Sequence, residues 1–220
     1  MNIKAIALDF DGVIVESVGI KDQAFEELFK EYPQHLDKIL AYHRSNNATI
    51  RFDKFRYIFE EILKKPFGSE DKKVFKEKFS QLIFQKIVEC PFVSGALAFL
   101  KECSAKAPLY LVSINPLDEL NRILEARDIK KYFNGIYAYP WLKNDALIDI
   151  MQKEGLSIKQ LVFIGDSLED YKASHGAGVA FIGREHRKEF TGINIPVFPD
   201  MQGIKNYINT LETPRASLKE

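Results

Sequence analysis

The run Ile3-Lys4-Ala5-Ile6-Ala7-Leu8, followed at once by Asp9-Phe10-Asp11-Gly12-Val13, decides how the rest of the chain is read. A strand of that length carries both acids past its carboxyl end, where ligands collect in open parallel sheets. Side chains alternate faces along a strand, so acids at i and i+2 can meet at one site once the chain turns at Gly12. One can attack a substrate while the other moves a proton, and together they can hold a divalent cation. The alternative is a strand ending in an Asx-rich turn, where Asp and Gly are common for conformational reasons.

Downstream of Pro91 the texture supports a sheet for that first strand to join. Leu109-Tyr110-Leu111-Val112, Gly135-Ile136-Tyr137-Ala138, Leu161-Val162-Phe163-Ile164 and Val179-Ala180-Phe181-Ile182 read as short apolar strands. They are separated by helical patterns over 96–103, 117–127 and 145–154, the last ended by Gly155 as a C′ residue. Ile195-Pro196-Val197-Phe198 suits a short edge strand before a final helix over 201–211. The βαβα rhythm predicts an α/β fold with a doubly wound, Rossmann-like parallel sheet.

Between the first strand and this half lies a different texture. From Lys21 to Glu89 the pattern is helical, with Ala24-Phe25, Leu28-Phe29 and Phe55, Ile58-Phe59, Ile62-Leu63 at helical spacing and a further stripe through Phe75, Phe79, Leu82-Ile83 and Ile87. Pro33 and Pro66-Phe67-Gly68 separate these helices. About four helices in succession without a strand predict an inserted α-helical domain, positioned as a lid over the strand ends. The expected boundaries are 1–17 and 91–212 for the α/β core and 18–90 for the helical insert, with a polar tail, 213–220, expected to be flexible.

Composition narrows the function classes. Lys+Arg and Asp+Glu are both 31, so net charge is zero and neither nucleic acid nor an anionic membrane is the expected partner. Hydrophobic residues at 46% and charged residues at 28% suit a globular protein, and no apolar run approaches a membrane span. With two cysteines, Cys90 and Cys103, and no Cys-x-x-Cys pattern, neither a disulfide framework nor a thiol nucleophile is expected. The N-terminus runs straight into the first strand without a signal-peptide core, and the expected location is cytoplasmic.

Three more features fall at or just after the ends of predicted strands: Ser113, Lys143, and Gly165-Asp166-Ser167-Leu168-Glu169-Asp170. A hydroxyl, an ammonium and further carboxylates then share one sheet edge with Asp9 and Asp11. That inventory suits phosphoryl transfer, in which acids hold Mg²⁺ while Lys and Ser balance the phosphate oxygens. Each has a structural alternative. Ser113 can serve a turn, with Asn115 capping the next helix and Pro116 at its first position. Lys143 can be a surface lysine, and Asp166 a helix cap with Asp170 on a solvated face. The conjunction in this order along the chain favours chemistry.

In these motifs the chain resembles the haloacid dehalogenase-like superfamily of phosphatases, in the group with a helical cap of the first type that includes phosphoglycolate phosphatase-like and β-phosphoglucomutase-like members. Asp9-Phe10-Asp11-Gly12-Val13 is similar to its DxDG[TV] motif, Leu109 to Ser113 to its strand-then-Ser motif, Lys143 to its lone lysine, and Gly165 to Asp170 to its GDSxxD motif. Where many members have Lys-Pro, this chain has Lys143-Asn144-Asp145. The resemblance implies that Asp9 attacks phosphorus to form an aspartyl-phosphate. Asp11 would protonate the leaving oxygen and then deprotonate the hydrolytic water, its pKa raised for the purpose by the neighbouring carboxylate. Asp9, the backbone carbonyl of Asp11, and Asp166 would hold Mg²⁺, with Asp170 contributing through water or by orienting Lys143. Ser113 and Lys143 would bind the transferring phosphoryl group, and Asn115 joins them as a phosphate-binding candidate.

Within the helical insert, His43, Arg51 and Lys54 are candidates for substrate contact, the two cations suiting an anionic substrate group. The alternative is that they are exposed helix-end charges, Arg51 and Lys54 sharing one outer face at i, i+3. The expected function is a Mg²⁺-dependent phosphatase of a small phosphorylated metabolite. A sugar phosphomutase on the same site, or a non-catalytic binding module, is the alternative.

Overall fold

The computed structural model describes residues 2–46 and 49–212. The tail at 213–220 and Asn47 lie outside the described residues. Two compact units form: one from the described residues of Met1–Glu16, Pro91–Leu117 and Asp128–Glu220, the other from those of Ser17–Cys90 and Asp118–Arg127.

The first unit is the expected doubly wound sheet. Its strands are β1 (Ala5–Leu8), β2 (Leu109–Pro116), β3 (Gly135–Tyr139), β4 (Leu161–Gly165), β5 (Ala180–Arg184) and β6 (Val197–Phe198). Every pairing is parallel and the order is β3-β2-β1-β4-β5-β6. Such an order needs a crossover after each strand and reverses direction at β1, which is where a crevice opens at the strand ends. Ile6 pairs with Leu109 on one side and Val162 on the other. All residues of β1 and β4 are buried, as strands sandwiched between two helical layers must be, and this is why they read as unbroken apolar runs. One layer's core joins Ala5, Ala7, Phe163 and Phe181 to Ala146, Leu147 and Ile150. Those last three belong to α7 (Lys143–Glu154); α5 (Ala96–Cys103), α8 (Leu168–Ala177) and α9 (Met201–Glu212) complete the unit's helices.

The second unit is built on α1 (Val18–Phe29), α2 (Leu36–Ser45), α3 (Arg51–Tyr57) with a π-helical continuation at Ile58–Ile62, and α4 (Ser69–Glu89). Its core is aromatic. Phe25, Phe29, Phe55 and Phe79 are each almost wholly buried, and Phe25–Phe79 and Phe59–Phe75 pack edge-on with centroids 5.2 Å and 4.9 Å apart. Burying each such ring is worth about 2–3 kcal/mol, with somewhat more from the tilted geometry. The helix α6 (Leu117–Ala126) lies between two sheet strands in sequence, yet Asp118 onward groups with this helical unit. The contacts explain it. Glu119 pairs with Arg51, Arg122 covers the Phe84 ring at 4.5 Å, and Arg127 Nη1 donates to the carbonyls of Ile87, Val88 and Cys90. Those carbonyls end α4, where intrahelical donors run out, so Arg127 completes the helix terminus. Among the described residues no helix is long and apolar enough to cross a membrane.

Candidate active site

The turn after β1 depends on Gly12. Its φ is +72°, and a Cβ there would collide with the Asp166 carboxylate, so glycine is required both by the backbone and by the approach of β4's loop. Gly12 N–H then bonds Val15 O at 2.8 Å and closes the loop. Asp9, first past the strand, is 6% exposed. A Cβ at Gly165 would likewise strike the Asp170 side chain, so the end of β4 is pared back to seat that acid.

Asp170 is fully buried and saturated with donors. Its Oδ2 accepts from Ser167 Oγ (2.7 Å), Ser167 N (3.2 Å) and Asp166 N (3.3 Å), while Oδ1 takes the Lys143 ammonium at 2.5 Å. Ser167 reciprocates as N-cap of α8, accepting from Asp170 N at 3.2 Å. The helix cap at this turn is thus Ser167, and Asp170 faces inward, away from solvent. Asp170 is expected to contribute through water or by orienting Lys143; its Oδ1 contacts the Lys143 ammonium, and it also has an oxygen within 4.8 Å of oxygens of Asp9 and Asp166.

Lys143 is the first residue of α7, which starts two positions earlier than the pattern predicts, after Leu142, which makes no side-chain cap. A cation there opposes the helix dipole. It is held by carboxylates instead: Nζ sits 3.1 Å from Asp9 Oδ1 as well as against Asp170, and the side chain is 12% exposed. Burial alone would discharge this lysine, but Asp170 and Asp9 together raise its pKa and keep it charged. The surface-lysine alternative does not fit these contacts.

The strand β2 continues through Pro116, past the predicted end at Val112, with a register irregularity after Val112. Such irregularities re-aim side chains at sites. Ser113 is buried two residues beyond Leu111, the partner of Leu8, and its Oγ accepts from Asn115 N at 3.2 Å. The alternative role of Asn115 as a helix cap is corrected here: Pro116 is still strand, α6 begins at Leu117, and Asn115 Nδ2 donates to Asp11 Oδ2 at 2.7 Å.

One residue escaped the sequence reading. His186 stands two residues beyond the end of β5, its Nε2 2.7 Å from Asp166 Oδ2. The signal available was its place, since it follows a predicted strand at the same carboxyl edge as the other candidates.

The donor set fits a hard dication. Oxygens of Asp9, Asp166 and Asp170 lie within 4.8 Å of one another. Burial pushes the Asp9 carboxyl well above its ordinary range; Lys143 pulls it down, but Asp170, Asp166 and Asp11 push further upward. Burial raises Asp166 too, although His186 opposes it. Crowded carboxylates driven toward protonation lack counter-charge, and oxygen-ligated Mg²⁺ is the kind of charge that restores balance.

The three candidates in the helical unit are buried and paired. Arg51 makes two bonds to Glu119, at 3.0 and 2.7 Å, and Ser80 Oγ also donates to that carboxylate. His43 is 3% exposed, stacked on Phe25 with centroids 3.7 Å apart. Its Nε2 faces Asp22 Oδ1 at 3.0 Å and its Nδ1 faces Lys54 Nζ at 3.2 Å, so Nδ1 accepts from the ammonium and Nε2–H donates. Burial lowers the His43 pKa, with Lys54 adding to the effect while Asp22 opposes it. None of the three is a solvated helix-end charge.

Comparison with known proteins agrees with the geometry. Residues 6–184 match the family model described as haloacid dehalogenase-like hydrolase. A curated phosphoglycolate phosphatase of Shigella boydii is 24% identical, the alignment covering 100% of this chain and 96% of the relative. The crystal structure of a predicted phosphoglycolate phosphatase from Haemophilus somnus superposes with a TM-score of 0.72 at 20% identity, covering 94% of this chain and 99% of that one. That of the magnesium-bound HAD-hydrolase YfnB from Bacillus subtilis gives 0.70 at 15% identity, covering 95% and 100%. The chain therefore belongs to the haloacid dehalogenase-like hydrolase family.

Proposed function

We propose that this chain hydrolyses a small phosphorylated metabolite through an aspartyl-phosphate on Asp9, with a divalent cation, Mg²⁺ by preference. The observation that carries the reading is the Lys143 ammonium shared between Asp9 and Asp170 in a buried acidic cluster at the carboxyl ends of β1 and β4. Asp9, the Asp11 backbone carbonyl and Asp166 would hold the cation. When bound, it supplies positive charge that lets an anionic nucleophile approach an anionic phosphate.

The chain's own residues supply the rest. An Asp9 carboxylate oxygen bonds to phosphorus as the bond from phosphorus to the leaving oxygen breaks, and Asp11 gives that oxygen its proton. Water then attacks phosphorus, its proton returns to Asp11, and the bond to Asp9 breaks to release phosphate. Asn115, bonded to Asp11, fixes the carboxyl through both half-reactions. Ser113 and Lys143 bind the transferring oxygens, Lys143 neutralising charge that accumulates there. Substrate selection is assigned to the helical unit, where the Glu119 carboxylate balances the charge of Arg51.

The test is a screen of purified protein against phosphorylated sugars, acids and nucleotides, phosphoglycolate and an aryl phosphate included, with Mg²⁺ and with EDTA. Metal-dependent phosphate release from at least one compound is expected. Its absence from all, or full steady-state turnover by Asp11→Asn, defeats the reading. Isomerisation of a sugar phosphate with a bisphosphate activator reassigns the chain as a mutase.

A further inference from the structure

His186 has no part in the steps above, yet it touches the acid most exposed to rearrangement. Asp170 is fixed by four contacts and Asp9 by Lys143, whereas the only side-chain hydrogen bond to the Asp166 carboxylate among the described residues comes from His186 Nε2, at 2.7 Å. The loop bearing His186 is built to stay in place. Glu185 Oε1 accepts from Arg187 N and Glu189 N at 3.1 and 3.0 Å, and its Oε2 from Phe190 N at 3.2 Å. Phe190 is buried against Gly183, and Glu189 Oε2 takes the Leu168 N–H at 3.3 Å. The segment is therefore tied to the 166–168 turn at two points, once through His186 and once through Glu189.

We propose that His186 is a positioning residue for the cation site: it holds Asp166 Oδ2 so that the other carboxylate oxygen is presented to the metal. The inference rests on the metal site of the proposed phosphatase. Ligation by His186 itself fits less well. The oxygens close enough to share one ion belong to Asp9, Asp166 and Asp170, and the imidazole nitrogen lies outside that group. A carboxylate ligand whose second oxygen is engaged keeps one orientation and loses less freedom when the ion binds, and loss of such an outer partner typically costs about 10–100-fold in metal affinity.

The test measures Mn²⁺ binding by the full chain, from the electron paramagnetic resonance signal of free Mn²⁺, for wild type, His186→Ala, His186→Gln and Asp166→Asn. Melting in EDTA establishes that each variant folds, and aryl phosphate hydrolysis is followed alongside. His186→Ala is expected to raise the Kd about 10–100-fold, while His186→Gln, which keeps an N–H donor, recovers most of the loss. Asp166→Asn should bind worst. Unchanged or tighter binding by His186→Ala, or equal weakness of the Ala and Gln variants, overturns the positioning role and leaves the phosphatase reading intact. Wild type that neither binds Mn²⁺ nor hydrolyses the ester overturns both.

Discussion

Replacing Lys143 with Met isolates the charge on which the site is organised. The side chain keeps its length and packing while the ammonium, 3.1 Å from Asp9 Oδ1 and 2.5 Å from Asp170 Oδ1, is deleted. At 3.1 Å and an effective dielectric near 20, one unit charge acting on another is worth about 5 kcal/mol. If that stabilisation is realised on the phosphoryl oxygens in the transition state, its loss lowers kcat/KM by about three to four orders of magnitude. Asp9, already pushed upward by burial, loses the Lys143 charge that opposes that shift, so the acid limb of the pH–rate profile moves to higher pH. Metal affinity should not fall with it, because a positive neighbour has been removed from a cationic site. The assay is aryl phosphate hydrolysis at saturating Mg²⁺ across a pH series, with calorimetric Mg²⁺ binding on the same samples. Turnover within tenfold of wild type refutes the reasoning, as does a loss of activity matched by an equal loss of Mg²⁺ affinity. Asp170 keeps three other donors on Oδ2, so the fold should persist, as far-ultraviolet circular dichroism would check.

Other consequences are as direct. Asn115→Ala removes the 2.7 Å anchor of Asp11 and should cut kcat about a hundredfold at unchanged Mg²⁺ affinity, checked by steady-state kinetics. Arg51→Ala strands the buried Glu119 carboxylate and should cost about 3–5 kcal/mol in urea unfolding, whereas Arg51→Met with Glu119→Leu should cost less than half as much. Burial works to raise the Glu119 pKa, but Arg51 and Ser80 outweigh it and hold it below 4.5. A depressed acid stabilises fully above its unfolded value and loses that contribution as pH falls through the folded one. The wild-type urea midpoint should therefore fall more steeply below about pH 4.5 than that of Glu119→Gln.

The sheet was legible because its strands are buried on both faces, so Leu161 to Ile164 or Leu109 to Val112 stand out as unbroken apolar runs. The site's main residues were legible for a related reason: each lies at or just beyond a strand end or at the helix start that follows one, and strand ends can be counted. What escaped was pairing across long separations. Asn115 reads locally as a helix cap, and only the approach of β1 to β2 turns its amide toward Asp11. Arg51 and Lys54 look solvated from their neighbours, and nothing nearby in sequence announces Glu119 or the aromatic bed that buries them. His186 was missed because its loop carries charges on every side and its partner is set by how the 185–190 segment folds back on α8.

The order of the strands also governs when the site can exist. The strand bearing Asp9 is first in the chain and central in the sheet, yet its partners begin at Leu109 and Leu161. Asp9 is synthesised long before either neighbour; Lys143 follows between β2 and β4, and the second acid turn, 166–170, comes directly after β4. Closing such distant contacts is slow compared with forming local helices. Chains ending before β4 carry Asp9 and Asp11 without the strand that pairs beside them or the acid turn that follows it, and are expected to release no phosphate from an aryl phosphate. Activity should appear in one step, only when β4 joins the sheet.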